Sequence, residues 1–354
     1  MLVQEGSCRI EVDDSIPSKG PGKSAAGFYN ASQRMNRDLT ISALNVIRPK
    51  RVLDGFGATG IRAIRFKLEV GCEVHVSEIN PVSLKIIEDN IKLNAADIIV
   101  HAESFAETSR KIPFDYIDVD PYGSVVPYLD AAISNIKNKG YVGVTSTDLS
   151  VLTGSYPEKT VRRYGSIIIK DTFKHEKGLR LLIGYAARRA ASMDKYIHPV
   201  AAFWNAHYYR IIFQVRSGSR GADVMLSNVK TINLHEHISS FYPDRIEGPI
   251  WCSDIEDINF IEKMKPSGLS CDPKFLQLIE LLKTENRSLF FCDLEDIARS
   301  THTDVMSLPT ARQILQLAGI IATRTQFSYT GIKSDRPVSE MFNILSENSQ
   351  RQKQ

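Results

Sequence analysis

The chain has 354 residues, of which 43% are hydrophobic and 24% charged, with 44 Lys/Arg against 41 Asp/Glu. That length suits two domains with their own cores, and the composition excludes a disordered or fibrous protein. No apolar run approaches the roughly 20 residues of a membrane span and no secretory pattern opens the chain, so a cytoplasmic protein with no membrane partner is expected.

Residues 1–12 alternate around Glu5-Gly6 as a short hairpin would. The stretch SIPSKGPGKSAAG, 15–27, reads as a mobile loop that delivers Phe28-Tyr29-Asn30. A helix is predicted from about Ser32 to Ile47, with Met35, Leu39, Ala43, Val46 and Ile47 along one side and Pro49 closing it. From Arg51 strands and helices alternate. RVLD, EVHVSEIN, DIIVHAESF, FDYIDVD and YVGVTSTD read as strands; IRAIRFKLE, PVSLKIIEDNIKLN and SVVPYLDAAISNI read as the intervening helices. This pattern predicts a parallel, doubly wound α/β sheet of Rossmann-like type.

A long amphipathic helix, FKHEKGLRLLIGYAARRAASMD, continues this half, followed by an antiparallel-looking pair, YIHPVAAFWN and YYRIIFQVRS. An irregular acidic connection covers about 236–268. Three helical patterns follow (Phe275–Lys283, Leu294–Ser300, Thr310–Leu317), and IIATRTQFSYTGIKS reads as a strand-turn-strand, so residues 266–354 suggest a small winged-helix-like α+β module after a first domain of 1–265.

Charge is unevenly spread. Residues 156–220 carry 13 Lys/Arg against 4 Asp/Glu, the footprint of a polyanion partner. Arg162, Arg163, Arg188 and Arg189 are the candidate phosphate contacts, while His175, His198, His207, Trp204 and Trp251 suit structural or RNA-facing places. The five scattered cysteines form no C-x-x-C pair, which argues for reduced thiols and against a metal site.

Three strand ends carry the chemistry. Asp54 precedes a G-x-G-x-x-G turn (Gly55, Gly57, Gly60), where small residues let backbone amides approach a ligand. The spacing also suits a nicotinamide dehydrogenase. An acidic residue ahead of the glycines, however, favours an amino group over a pyrophosphate, and Glu78 ends the next strand where it can accept ribose hydroxyls. Together they favour S-adenosylmethionine over NAD. The strand FDYIDV then breaks at Asp120-Pro121-Tyr122-Gly123, presenting a carboxylate and a ring to a flat, amine-bearing base. A plain type I turn with a structural Asp is the competing reading of this tetrapeptide, and an ordinary core aromatic that of Phe28.

These segments resemble a known family. FYN (28–30), MNRD (35–38), LDGFGATGIRAIRF (53–66), DVDPYGS (118–124), GVTSTD (143–148), HYYR (207–210) and TRTQFSYTGIKSD (323–335) are similar to those of the tRNA (guanine-26) N2-dimethyltransferases, in particular the compact archaeal type. The resemblance implies transfer of methyl groups from S-adenosylmethionine to the N2 amine of guanine 26. It implies that Arg37 and Arg62 contact the cofactor, Glu78 its ribose, and Glu103 and Ser104 its adenine edge. Asp120 would hold the target amine while Phe28 and Tyr122 place the guanine. Tyr122 stands where the family commonly has Phe, STDLSVLTG (146–154) departs from its usual run around Asp148, and the four-cysteine zinc site of some members is absent. A monomer without metal, acting on tRNA, is the expectation. The alternatives are an N-methyltransferase acting on another guanine or nucleic-acid amine, a nicotinamide-dependent oxidoreductase, and a nucleic-acid-binding protein whose Rossmann-like half is inert.

Overall fold

The computed structural model describes residues 1–12, 27–266 and 271–353. The loop expected at 15–27 lies, apart from Gly27, outside the described residues. The chain divides into two units, each assembled from three segments: Met1–Asp148, Ala186–Asp223 and Asp257–Ile279 in the first, and Leu149–Tyr185, Val224–Glu256 and Glu280–Gln354 in the second.

The first unit opens with an antiparallel hairpin, β1 (Leu2–Glu5) and β2 (Cys8–Glu11), turned by Gly6 at φ 56°. Its apolar side meets Tyr29, Ile61 and Ile64. Helix α1 (Arg34–Ile47) follows a short 3-10 turn at Ala31–Gln33, which Asn30 caps through its side chain. Then come β3 (Arg51–Asp54), α2 (Ile61–Arg65), β4 (Glu73–Ser77), α3 (Pro81–Leu93), β5 (Ile99–His101), α4 (Phe105–Lys111), β6 (Phe114–Val119), α5 (Val126–Asn135) and β7 (Ile136–Ser146). The expected helix IRAIRFKLE is α-helical only to Arg65 and closes with a π-type turn at Phe66–Val70, ended by Gly71 at φ 77°. Two further strands, β8 (Lys195–Asn205) and β9 (Tyr208–Ser217), complete a seven-stranded sheet in the order β5-β4-β3-β6-β7-β9-β8.

The five central strands are parallel, with Asp54 opposite Val76 on one side and Asp118 on the other. β9 then runs antiparallel to β7, and β8 to β9. The sheet is thus Rossmann-like and doubly wound, with an antiparallel edge. Its strand order reverses at β3, which pairs with β4 and β6. In sheets of this kind the usual ligand position lies at that switch point, outside the carboxyl ends of the strands. Near-continuous apolar strands such as Tyr116, Ile117 and Val119, all solvent-inaccessible, are what burial on both faces requires.

Helix α1 departs from the amphipathic expectation. Met35, Leu39 and Ala43 are buried, but so are the polar residues Asn36, Arg37, Asp38, Thr40 and Ser42. Buried polar groups on a helix call for partners; those of Arg37, Asp38 and Thr40 are part of the site described below, while Ser42 Oγ is buried without a hydrogen-bond partner among the described residues.

In the second unit Val229–Asn233 pairs antiparallel with Ile246–Trp251, giving regular structure to part of the stretch expected to be irregular. A three-stranded antiparallel sheet places Gly331–Lys333 between Cys292–Asp293 and Thr323–Arg324. Helices Leu294–Thr301 and Leu308–Leu317 occupy the expected places. Pro273–Thr284, which belongs to the first unit through Ile279 and to the second from Glu280, buries Phe275, Leu278, Ile279 and Leu282 as its spacing predicts. A final helix, Val338–Lys353, was not anticipated; it buries Met341, Phe342 and Leu345. No helix among the described residues is long and apolar enough to cross a membrane. All five cysteines are free thiols, and among the described residues no group of three or more His, Cys, Asp or Glu could hold a metal ion.

Candidate active site

The glycine turn is fixed by packing. Gly55 donates its amide to the Asp118 carbonyl at 3.0 Å and Gly57 to the Ser77 carbonyl at 3.1 Å, so the turn is bonded to the strands on both sides of β3. A Cβ on Gly55 would lie 2.6 Å from the Phe105 ring and 2.8 Å from the Asp118 carbonyl oxygen, and one on Gly57 would lie 2.6 Å from Ile87 Cδ1. Gly60 precedes α2 at φ 78°. Only glycine fits these approaches.

Asp54, at the end of β3, is 1% exposed. Its Oδ1 accepts a long bond from the Phe56 amide (3.4 Å) while Oδ2 is buried with no partner among the described residues. Burial pushes this carboxyl up to about 7, against the pull of Arg62 and with the help of Asp118 and Asp120. An unsatisfied buried carboxyl oxygen at a sheet switch point has the capacity to accept a hydrogen bond from a ligand.

Glu78 follows β4. Its carboxylate accepts amide bonds from Ala58 at 3.0 Å and from Ile79 and Asn80 at 2.9 Å each, which fixes it there with acceptor capacity left over. Glu103 accepts from Thr108 at 3.0 Å and pairs with Lys111, and the Lys111 bond holds its carboxyl below the usual range. Ser104 is the N-cap of α4: its Oγ accepts from the Glu107 amide at 3.3 Å, and Glu107 returns the bond by accepting from the Ser104 amide at 3.0 Å. The S-x-x-E spacing of Ser104 and Glu107 is the signal for this cap.

Arg37 lies deeper than a surface binding residue. Its guanidinium makes a bidentate pair with Glu5 (2.6 and 2.5 Å), donates to the Asn30 carbonyl at 3.1 Å, and stands 5.3 Å over the Tyr29 ring. Arg65 reaches both Glu5 and Asp38 at 2.8 Å. Burial raises the Glu5 carboxyl, but Arg37 and Arg65 outweigh it and bring it down to about 2.

Arg62 connects the two carboxylates that end β6. Its Nη2 pairs with Asp120, its Nε lies 3.6 Å from Asp118, and its Nη1 donates to Thr40 at 3.4 Å. Sequence reasoning singled out Asp120 and Arg62 but not Asp118, Thr40, Tyr116 or Arg210. The signal available was an arginine inside the apolar run YYRIIFQV, where an unpaired charge could not be tolerated.

Phe28 and Tyr122 come together, ring centroids 6.1 Å apart at 61°. Phe28 is buried, whereas Tyr122 is 52% exposed at the turn that Gly123 makes at φ 83°. Partial desolvation, with the Glu78 and Asp120 carboxylates, pushes the Tyr122 phenol up to about 12. Asp120 therefore stands beside an aromatic pair, one ring fixed and the other open to solvent.

The basic window is less of a surface than its charge suggests. Lys177, Arg180 and Arg210 within it are buried, Lys177 against Glu247 and Arg180 against Glu176. Trp251 is a packing residue whose indole donates to the Asp254 carbonyl at 2.8 Å. Burial depresses His175 to about 4, which suits a structural place.

The sequence model of the N2,N2-dimethylguanosine tRNA methyltransferases matches residues 6–346. The tRNA (guanine(26)-N(2))-dimethyltransferase of Thermoplasma volcanium is 46% identical over 99% of this chain and 100% of its own length. Its counterpart from Pyrococcus abyssi is 30% identical over 90% and 92%. The solved complex of Trm1 from Pyrococcus horikoshii with S-adenosyl-L-methionine superimposes with a TM-score of 0.87 at 30% identity, covering 97% of this chain and 99% of that one.

Proposed function

The chain belongs to the N2,N2-dimethylguanosine tRNA methyltransferase family, and from that premise we infer that it transfers methyl groups from S-adenosylmethionine to the N2 amine of guanine 26 in tRNA. When bound, the cofactor supplies an electrophilic methyl group on a cationic sulfonium. The observation that carries the reading is the buried, unpartnered Oδ2 of Asp54 beside the Gly55–Gly57 turn, an acceptor suited to the cofactor's ammonium. Glu78 binds the ribose, Glu103 and Ser104 flank the adenine, and Arg37 and Arg62 make the remaining cofactor contacts. The Ser104 cap engages its hydroxyl, so its contribution is to fix the loop that carries Glu103.

Exocyclic amine methylation needs little base, because the nitrogen must turn its lone pair out of the ring's π system rather than lose a proton first. Asp120 accepts the amine's N–H bonds and favours that turned geometry; the charge developing on nitrogen is stabilised by the same carboxylate. Phe28 and Tyr122 hold the base by its faces. Guanine 26 is stacked within the tRNA, so it must be flipped out at a cost of a few kcal/mol. Phosphate contacts from the basic window, and from residues 266–354 acting as a winged-helix-like tRNA-binding domain after a methyltransferase domain of 1–265, offset that cost. The enzyme acts as a cytoplasmic monomer.

The test is transfer of radiolabelled methyl from S-adenosylmethionine to an unmodified tRNA transcript beside one with guanine 26 replaced by adenine. Label on the first alone supports the reading. Label on both moves the target to another base, and label on neither rejects the substrate.

A further inference from the structure

Arg210 enters the site from β9, across from Thr145 on β7, and its side chain is wholly buried. It grips Asp118 with two nitrogens, Nη1 to Oδ1 at 3.2 Å and Nη2 to Oδ2 at 2.5 Å. The same nitrogens donate to Thr145 at 3.0 Å, Tyr116 at 2.7 Å and Thr40 at 2.9 Å. Arg62 approaches the other side of Asp118 and also donates to Thr40. One buried carboxylate is thus flanked by two guanidinium groups, and its bidentate partner is Arg210.

That division has a consequence for Asp120. Of the two arginines, only Arg62 is paired with Asp120, and Asp118 is a second carboxylate within its reach. A buried arginine goes to whichever carboxylate lacks a countercharge, because an uncompensated buried charge is the costliest arrangement available. With Arg210 in place Asp118 is already neutralised, and Arg62 is left to Asp120.

We propose that Arg210 is a positioning residue for methyl transfer: by occupying Asp118 it commits Arg62 to Asp120 and so fixes the carboxylate that holds the target amine. Arg210 touches neither substrate nor cofactor in this role. Removing it lets Arg62 turn inward to Asp118, and Asp120 loses its fixed orientation. The inference rests on the assignment of Asp120 as the amine-holding residue.

The experiment compares wild type, Arg210→Met, Asp118→Asn/Arg210→Met and Asp120→Ala as full-length proteins. It measures single-turnover methyl transfer to a tRNA transcript per folded molecule, KM for tRNA, and the Kd for S-adenosylhomocysteine by calorimetry. Arg210→Met is expected to lose about 100-fold in rate, the scale of a misplacement of about 1 Å, with KM for tRNA unchanged and the Kd shifted only as far as Arg62 contributes to cofactor binding. The double variant removes both competing charges and returns Arg62 to Asp120, so it is expected to be about tenfold faster than Arg210→Met, a coupling typical of groups in one network. A merely structural role predicts losses that follow the folded fraction and no recovery of rate. An Arg210→Met enzyme with the wild-type rate, or a double variant no faster than the single, overturns the proposal. Should Arg210→Met fail to fold, the double variant decides: a rate near wild type supports the proposal and one as low as that of Asp120→Ala overturns it. Full activity in Asp120→Ala would instead remove the assignment on which the inference rests.

Discussion

Arg37 and Glu5 form a bidentate pair at 2.6 and 2.5 Å, with the carboxylate inaccessible to solvent and the guanidinium nearly so. The pair ties the N-terminal hairpin to helix α1, and Arg65 adds a second guanidinium at 2.8 Å. Glu5→Gln leaves the buried Arg37 without a carboxylate, while Arg65 keeps Asp38 and Glu69, and should cost about 3 kcal/mol of stability at pH 7. The Glu5 carboxyl is held at about 2, below its ordinary 4.5. A depressed carboxyl contributes stability that is complete above the unfolded value and is lost as pH falls through the folded one. Urea titrations of both proteins should therefore show the gap between them narrowing from pH 5 to pH 2, and a gap independent of pH would reject the ionised pair.

Asp54 has the opposite sign. Its carboxyl is raised from 3.8 to about 7 by burial, so its contribution to stability is complete below about 4 and is lost as pH rises through about 7. A cationic ligand group favours the ionised form. Binding of S-adenosylhomocysteine, which keeps the ammonium, should release protons at pH 6 and tighten as pH rises toward 7.5. Asp54→Asn should weaken binding by about tenfold or more, near 1.4 kcal/mol, and flatten the pH dependence. Calorimetry in two buffers of different ionisation enthalpy measures the proton count directly; a pH-independent Kd in the wild type would exclude Asp54 as the ammonium's partner.

Asp120→Ala should abolish methyl transfer while leaving the Kd for S-adenosylhomocysteine close to that of wild type. Arg62 then keeps only Asp118, at 3.6 Å and already paired with Arg210, so some loss of stability is expected as well and transfer is counted per folded molecule. Asp120→Asn retains one acceptor oxygen but not the negative charge, and a loss of about 100-fold in rate is expected from the missing electrostatic stabilisation. Cofactor affinity falling in step with activity would assign Asp120 to cofactor binding instead.

Much of the sheet was legible because its strands are apolar runs broken at Gly, Pro or Asp, and parallel strands align their carboxyl ends. Asp54, Glu78 and Asp120 were therefore placed at one edge by pattern alone. The polar side of α1 was not, since Asn36, Arg37, Asp38 and Thr40 on a helix ordinarily face water and here they are buried. The same blindness to burial made the basic window look wholly like surface, although Lys177, Arg180 and Arg210 are inside. The last helix, Val338–Lys353, escaped notice because its few buried apolar residues are diluted by Ser, Glu, Asn and Gln. Side chains that act through buried charge leave no periodic trace, which is why Asp118 and Arg210 emerged only from their distances.

Tyr122 and Phe28 separate stacking from hydrogen bonding. The rings already meet edge to face at 6.1 Å, and the turn itself is held by the Gly123 amide donating to Thr147 Oγ1 at 3.0 Å. With its phenol pushed up to about 12, Tyr122 is neutral across the working range and serves as an uncharged face. Tyr122→Phe should therefore keep the wild-type rate, while Tyr122→Ala and Phe28→Ala should each lose stacking worth about 1–3 kcal/mol, or roughly 5- to 150-fold in kcat/KM for tRNA. Phe28 is buried and Tyr122 is not, so Phe28→Ala should also lower the melting temperature and Tyr122→Ala should not. Steady-state kinetics on tRNA transcripts with parallel melting curves measure both, and an inactive Tyr122→Phe enzyme would assign the hydroxyl a bond to the substrate.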